Sequence, residues 1–91
     1  MTAIIEIFTS PTCIYCPGAK KIVAEVADET ANVAVFEHSS ATEEGRKRAN
    51  EFGIQSVPTI FISGPKTKEI IGFRGITPKE TLLKAVTKVK Q

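Results

Sequence analysis

The sequence has only two cysteines and one histidine in 91 residues. Tetrahedral zinc asks for four ligands. No second cysteine pair is present, and His38 lies in a polar stretch after an apolar run rather than in a ligand-spaced motif. A zinc site within one chain is therefore disfavoured, while a metal or cluster shared between two chains is more open. A large excess of one charge over the other is also lacking. The net charge of +2 is too small to imply nucleic-acid binding. No run approaches the roughly 20 apolar residues of a membrane span. The N-terminal stretch Met1-Thr2-Ala3-Ile4-Ile5-Glu6 lacks the basic region of a signal peptide, and its apolar run is short. Internal repeats, linkers and low-complexity segments are absent. These absences lead us to expect a cytoplasmic protein with no membrane association. Its length fits a single domain, residues 1–91.

The two cysteines stand together in Ser10-Pro11-Thr12-Cys13-Ile14-Tyr15-Cys16-Pro17. An apolar run, Ile4-Ile5-Glu6-Ile7-Phe8, precedes this stretch, and a segment of helical periodicity follows it. Cysteines two residues apart can close a small disulfide ring when the second lies in the first turn of a helix. The first then sits at or near the N-cap. Free backbone N–H groups and the positive end of the macrodipole stabilise a thiolate there. Its pKa falls from about 8.5 into a range of roughly 3.5–7.5. The thiolate is the nucleophile of thiol–disulfide exchange. Cys13 is therefore predicted as the attacker, and Cys16, one turn in and shielded, as the resolving thiol. Pro17 suits a first helical turn, where its missing N–H costs nothing. A purely structural disulfide of this spacing would close a very short loop and constrain the unfolded chain little. In a reducing cytoplasm such a pair is a catalytic feature.

Ala3 to Phe8 reads as a central strand buried on both faces. Glu6 interrupts it, either on a solvated side or as a partly buried acid near the dithiol; the first is preferred. From Cys16 to about Thr30, Ala19, Ile22, Val23, Val26 and Ala27 mark one buried helical face. Lys20 and Lys21 read as a solvated face of that helix, with added positive potential at the thiolate as the alternative. Val33-Ala34-Val35-Phe36 reads as a second strand, parallel to the first across a right-handed crossover. Ser40-Ala41-Thr42-Glu43 has the capping-box pattern, and its helix runs to Phe52 and stops at Gly53. Its basic cluster, Arg46, Lys47 and Arg48, reads as a solvated face. Pro58 then stands at the entry of an apolar strand ending at Ile62. Ser63 to Lys68 reads as a polar turn, and Glu69 to Phe73 as the antiparallel partner strand. Thr77-Pro78-Lys79-Glu80 is a second capping box, with proline at the first helical position. Leu82, Leu83, Val86 and Val89 stripe the last helix. The order β-α-β-α-β-β-α predicts an α/β fold, a four-stranded mixed sheet with helices on both faces.

Three stretches together resemble the thioredoxin-like superfamily over nearly the whole chain. They are Cys13-Ile14-Tyr15-Cys16 after the first strand, Phe52-Gly53-Ile54-Gln55-Ser56-Val57-Pro58-Thr59, and Gly75 followed by Thr77-Pro78-Lys79-Glu80 and Leu82. The Tyr15-Cys16 ending and the short chain are similar to glutaredoxins. The segment Gly72-Phe73-Arg74-Gly75-Ile76-Thr77, however, lacks the paired glycines and aspartate with which glutaredoxins hold glutathione. The chain also departs from thioredoxins. Thr12 replaces the tryptophan before the motif, Ile14-Tyr15 replaces Gly-Pro, and Ile7 falls where thioredoxins bury an aspartate. The likeness is greatest to the small glutaredoxin-like thioredoxins of archaea and some bacteria.

The resemblance implies a thioredoxin fold and a dithiol–disulfide oxidoreductase acting on disulfide-containing proteins. It implies a cis Pro58 facing the dithiol, with Val57 offering backbone hydrogen bonds to an extended substrate. Gly75 would complete a shallow apolar groove, and Ile14 and Tyr15 would add substrate contacts. No cofactor and no metal are called for. The expected enzyme is a monomer recycled by a reductase protein of the thioredoxin-reductase type. The proton acceptor for Cys16 stays open among Glu6, water and a substrate group. Two alternatives also stay open: a glutathione-dependent glutaredoxin, and a metal or iron–sulfur carrier using the cysteines across a dimer.

Overall fold

The computed structural model describes residues 2–65 and 70–90. The strands are β1 (Ala3–Thr9), β2 (Val33–Ser39), β3 (Thr59–Ser63) and β4 (Ile70–Arg74). The helices are α1 (Cys16–Glu29), α2 (Glu43–Phe52) and α3 (Lys79–Lys90). The sheet order is β2-β1-β3-β4. β1 pairs parallel with β2 and antiparallel with β3, and β3 pairs antiparallel with β4. The predicted fold class, element order and strand directions are those observed. Lys66, Thr67 and Lys68 of the predicted turn, and Glu69 of the predicted strand, lie outside the described residues.

Side chains alternate across a strand. Ala3, Ile5 and Ile7 of β1 share one face with Ile60 and Ile62 of β3, and all are buried. Ala19, Val23 and Val26 of α1 and Leu82, Val86 and Val89 of α3 close over them, forming the main core. The opposite face carries Glu6, Phe8, His38 and Phe61, under α2. Phe52 of α2 stacks on Phe61 at 4.8 Å between ring centroids and meets Phe8 edge-on at 5.7 Å. The Arg48 guanidinium lies 4.4 Å over the Phe52 ring.

The second face is only partly covered, which corrects the reading of β1 as buried on both sides. Helix α2 is 10 residues long, so Ile4 and Phe36 remain exposed beyond it. Glu6 is likewise corrected. It is partly buried and bonds Arg48 at 2.9 Å, with His38 Nε2 at 3.6 Å. This ion pair raises the Arg48 pKa, chiefly through the hydrogen bond to Glu6 and then its charge. Both capping boxes are shifted. Strand β2 continues to Ser39, so the N-cap of α2 is Thr42, whose hydroxyl accepts from the Gly45 amide at 2.9 Å. Glu43 is therefore the first residue of the helix, not its third. At α3 the helix begins at Lys79, and the Pro78 carbonyl accepts from the Thr81 and Leu82 amides. Thr77 instead donates to the Gly75 carbonyl.

Candidate active site

The last residue of the central strand is Thr9, and six residues separate it from α1. That loop carries Cys13. Its backbone turns back at once, with the Cys13 amide donating to the Ser10 carbonyl at 3.2 Å. Ser10 and Thr12 hydroxyls bond one another at 3.0 Å. Tyr15 is the N-cap of α1 and makes no side-chain cap bond. Cys16 is therefore the first helical residue, and Pro17 follows within the first turn, where an amide has no intrahelical partner. Cys13 lies two residues ahead of the N-cap rather than on it.

Cys13 and Cys16 are joined as a disulfide, with their Cα atoms 5.4 Å apart. The two sulfurs sit in unlike surroundings. Cys16 is 3% exposed, while Cys13 is half-buried at the surface. Between them Ile14 and Tyr15 stand 81% and 59% exposed. Two large side chains thus stand in water beside the paired cysteines.

Val57–Pro58 is a cis peptide bond. Pro58 is fully buried, and Val57 is half-buried. The Gly75 amide donates to the Pro58 carbonyl at 2.8 Å, which ties these two loops together. Gly75 has φ +74°, and a Cβ there would meet no atom within 4 Å. The next residue, Ile76, is exposed, and its Cδ1 would lie 3.6 Å from a Cβ on Gly18, in the first turn of α1. Ile76 thereby joins Ile14 and Tyr15 as apolar surface around that turn. The sequence reading did not single it out, although it follows Gly75 directly.

A cleft of about 200 Å³ opens on the other side of the disulfide, toward β2. Cys13, Cys16, Thr9, Lys20, Glu37 and Ser39 line it, with the two prolines Pro11 and Pro17. Lys20 is one turn after Cys16 on α1, and its Nζ lies 3.3 Å from Glu37 Oε2. The Thr9 hydroxyl donates to the same oxygen at 2.9 Å. Lys20 is exposed, as the solvated-face reading expects, and it also lines the cleft beside the disulfide. Glu37 was missed because β2 was expected to end at Phe36. Glu6 lies on the α2 side of the sheet and does not line this cleft, which removes it as the acid near the dithiol.

Residues 2–90 match the thioredoxin-like domain family. The chain belongs to the thioredoxin-like family. It is 43% identical over 84 residues to a thioredoxin of Methanocaldococcus jannaschii, covering 92% of each chain. A probable thioredoxin of Methanothermobacter thermautotrophicus is 36% identical over 86 residues, covering 94% of each. Among solved structures, chloroplastic thioredoxin z superposes with a TM-score of 0.80 at 25% identity, over 97% of this chain and 78% of that one. The thioredoxin-like fold and the paired cysteines make this protein a dithiol–disulfide oxidoreductase. Among the described residues no helix is long and apolar enough to cross a membrane.

Proposed function

We propose that Cys13 attacks a disulfide of a protein substrate and that Cys16 resolves the mixed disulfide. The observation that carries this reading is the unequal placement of the two sulfurs. Cys13 is reachable beside exposed Ile14 and Tyr15, while Cys16 is buried at the first position of α1. In the first step the Cys13 thiolate bonds one substrate sulfur, and the other leaves as a thiolate. Cys16 then bonds Cys13 and releases the second substrate sulfur. The products are a reduced substrate and the Cys13–Cys16 disulfide.

The extended substrate lies against Val57 and Pro58, and the Val57 backbone receives it as a short added strand. Gly75 leaves room beside it, and Ile14 and Tyr15 supply apolar contact. The protein acts as one domain, as a monomer, in the reducing cytoplasm. A reductase protein returns the disulfide to the dithiol, since Gly72-Phe73-Arg74-Gly75-Ile76-Thr77 offers no glutathione-anchoring pattern. The experiment is reduction of a model protein disulfide, driven separately by a small dithiol and by glutathione with its reductase. Dithiol-driven turnover that disappears in Cys13→Ser is the expected result. Strong glutathione-driven turnover would contradict the reductase-protein assignment, and turnover retained by Cys13→Ser would contradict the role of Cys13.

A further inference from the structure

The resolving step requires Cys16 as a thiolate, yet Cys16 is the more buried sulfur and its proton has to leave. Among the described residues that line the cleft beside it, one is a carboxylate, Glu37. The parallel register places Glu37 beside Ile7, and Ile7 faces the core under α1. Alternation along β2 therefore aims Glu37 at α1. Cys16 and Lys20 are four residues apart on α1, so they share a face and both look onto Glu37 across the cleft. Thr9 and Lys20 both contact Oε2. Oε1 has no partner among the described residues.

We propose that Glu37, held in place by Thr9 and Lys20, is the proton acceptor for Cys16; this rests on the reading that Cys16 resolves the mixed disulfide. The Cys16 thiol gives its proton to the Glu37 carboxylate through the solvent of the open cleft. The resulting thiolate attacks the Cys13 sulfur. The Cys13–Cys16 bond forms as the bond from Cys13 to the substrate breaks, and the electron pair leaves with the substrate sulfur. That thiolate takes up a proton, which Glu37 returns to solvent. Over the two steps the cysteine pair is oxidised by two electrons and the substrate disulfide is reduced by two. In the reverse direction the protonated Glu37 reloads Cys16.

The charged groups around the carboxylate are few. Lys20 faces it from α1, and Cys13 and Cys16 face it from the loop and the helix start. Asp28 lies farther along α1, on a neighbouring hollow that Lys20 and Glu37 also border. Helix α2 contributes no side chain to the cleft. A half-exposed Lys–Glu pair adds little to stability, so its placement beside Cys16 is better accounted for by chemistry than by folding.

The test uses the reduced full chain and an aromatic disulfide whose thiolate product is coloured. Attack by Cys13 releases the first equivalent of colour, and attack by Cys16 releases the second. Wild type, Glu37→Gln and Glu37→Asp are compared by stopped flow from about pH 6 to about pH 9. Proton acceptors of this kind contribute about 10² or more in rate. In Glu37→Gln the first phase stays within about twofold of wild type. Its second phase slows at least about tenfold near neutrality and recovers as pH rises and hydroxide takes over. Glu37→Asp restores part of the lost rate. A second phase within about twofold of wild type at every pH would overturn the proposal, as would equal slowing of both phases. A wild type that releases only one equivalent would instead overturn the resolving role of Cys16, and the proposal with it.

Discussion

Two chemically identical residues stand in different surroundings here because of where the backbone leaves them. Cys16 is fixed by the first turn of α1 and shielded, and Cys13 rides on the loop ahead of the cap. At Gly75 the backbone imposes a different demand. Its φ of +74° favours glycine, and the space beyond its Cα is open. Gly75→Val therefore puts a β-branched side chain into a left-handed backbone and into the proposed substrate groove. The cost in stability is about 1–2 kcal/mol, read from urea unfolding. KM for a protein disulfide rises, while the rate with a small disulfide is kept. Equal loss with both substrates would contradict the groove assignment. The cysteines, Pro58 and Gly75 were legible in the sequence because each belongs to a local pattern. Glu37 was not. A carboxylate at a strand end carries no local signal, and its role emerges only from a parallel register linking residues 30 apart. The faint clue was the alternation Val33, Val35, Glu37, which continues the α1-facing side of β2 past Phe36.

At the scale of elements, the small second core explains how a short, polar helix such as α2 stays docked. Only Gly45 of α2 is buried, and a Cβ there would run into the Ser39 carbonyl. The helix is otherwise anchored by Phe52 on Phe8 and Phe61 and by Arg48 on Glu6. Phe8 is 1% exposed, so Phe8→Ala is expected to cost about 3–5 kcal/mol of stability in urea unfolding. A loss under about 1 kcal/mol would mean that the cluster does not hold the helix. Helix α3 also meets α1 at the surface, where Lys79 bonds Glu29 at 2.6 Å. The hydrogen bond to Glu29, and then its charge, raises the Lys79 pKa above 10.5. A raised lysine pKa stabilises the fold below the unfolded value and ceases to do so as pH climbs through the folded value. Lys79→Met should therefore be slightly less stable than wild type near neutrality, with the difference closing in strong alkali. A difference that grew with alkali would contradict the pairing. The helix starts were only approximately legible. Ser39, Ser40 and Thr42 are all plausible caps by composition, and the extent of β2 decided among them.

At the scale of the molecule, sheet order places the dithiol just beyond the end of β1, one of the two inner strands. β1 lies between a parallel and an antiparallel neighbour. The loop leaving it therefore opens toward β2 on one side and toward the Pro58 and Gly75 loops on the other. One side offers the cleft with Glu37, and the other offers an apolar surface. The proposed proton transfer and the proposed substrate contact thus fall on opposite flanks of the same pair of sulfurs. The overall topology was readable because hydrophobic periodicity and the turn residues agreed along the chain. The incomplete cover over Ile4 and Phe36 was not readable, because it reflects the short length of α2 and not the character of β1. The monomer assignment makes its own prediction. Freshly purified protein should sediment as a single chain, without visible absorbance and with two titratable thiols after reduction. A coloured dimer with stoichiometric metal would contradict it in favour of a carrier role.

The most direct test of the account is trapping. Reduced Cys16→Ser and Cys13→Ser are each mixed with a protein bearing an accessible disulfide, and the products are weighed by intact mass spectrometry. The account predicts a stable one-to-one adduct through Cys13 in Cys16→Ser and none in Cys13→Ser. An adduct formed by Cys13→Ser through Cys16, or turnover by Cys16→Ser at the wild-type rate, would contradict it.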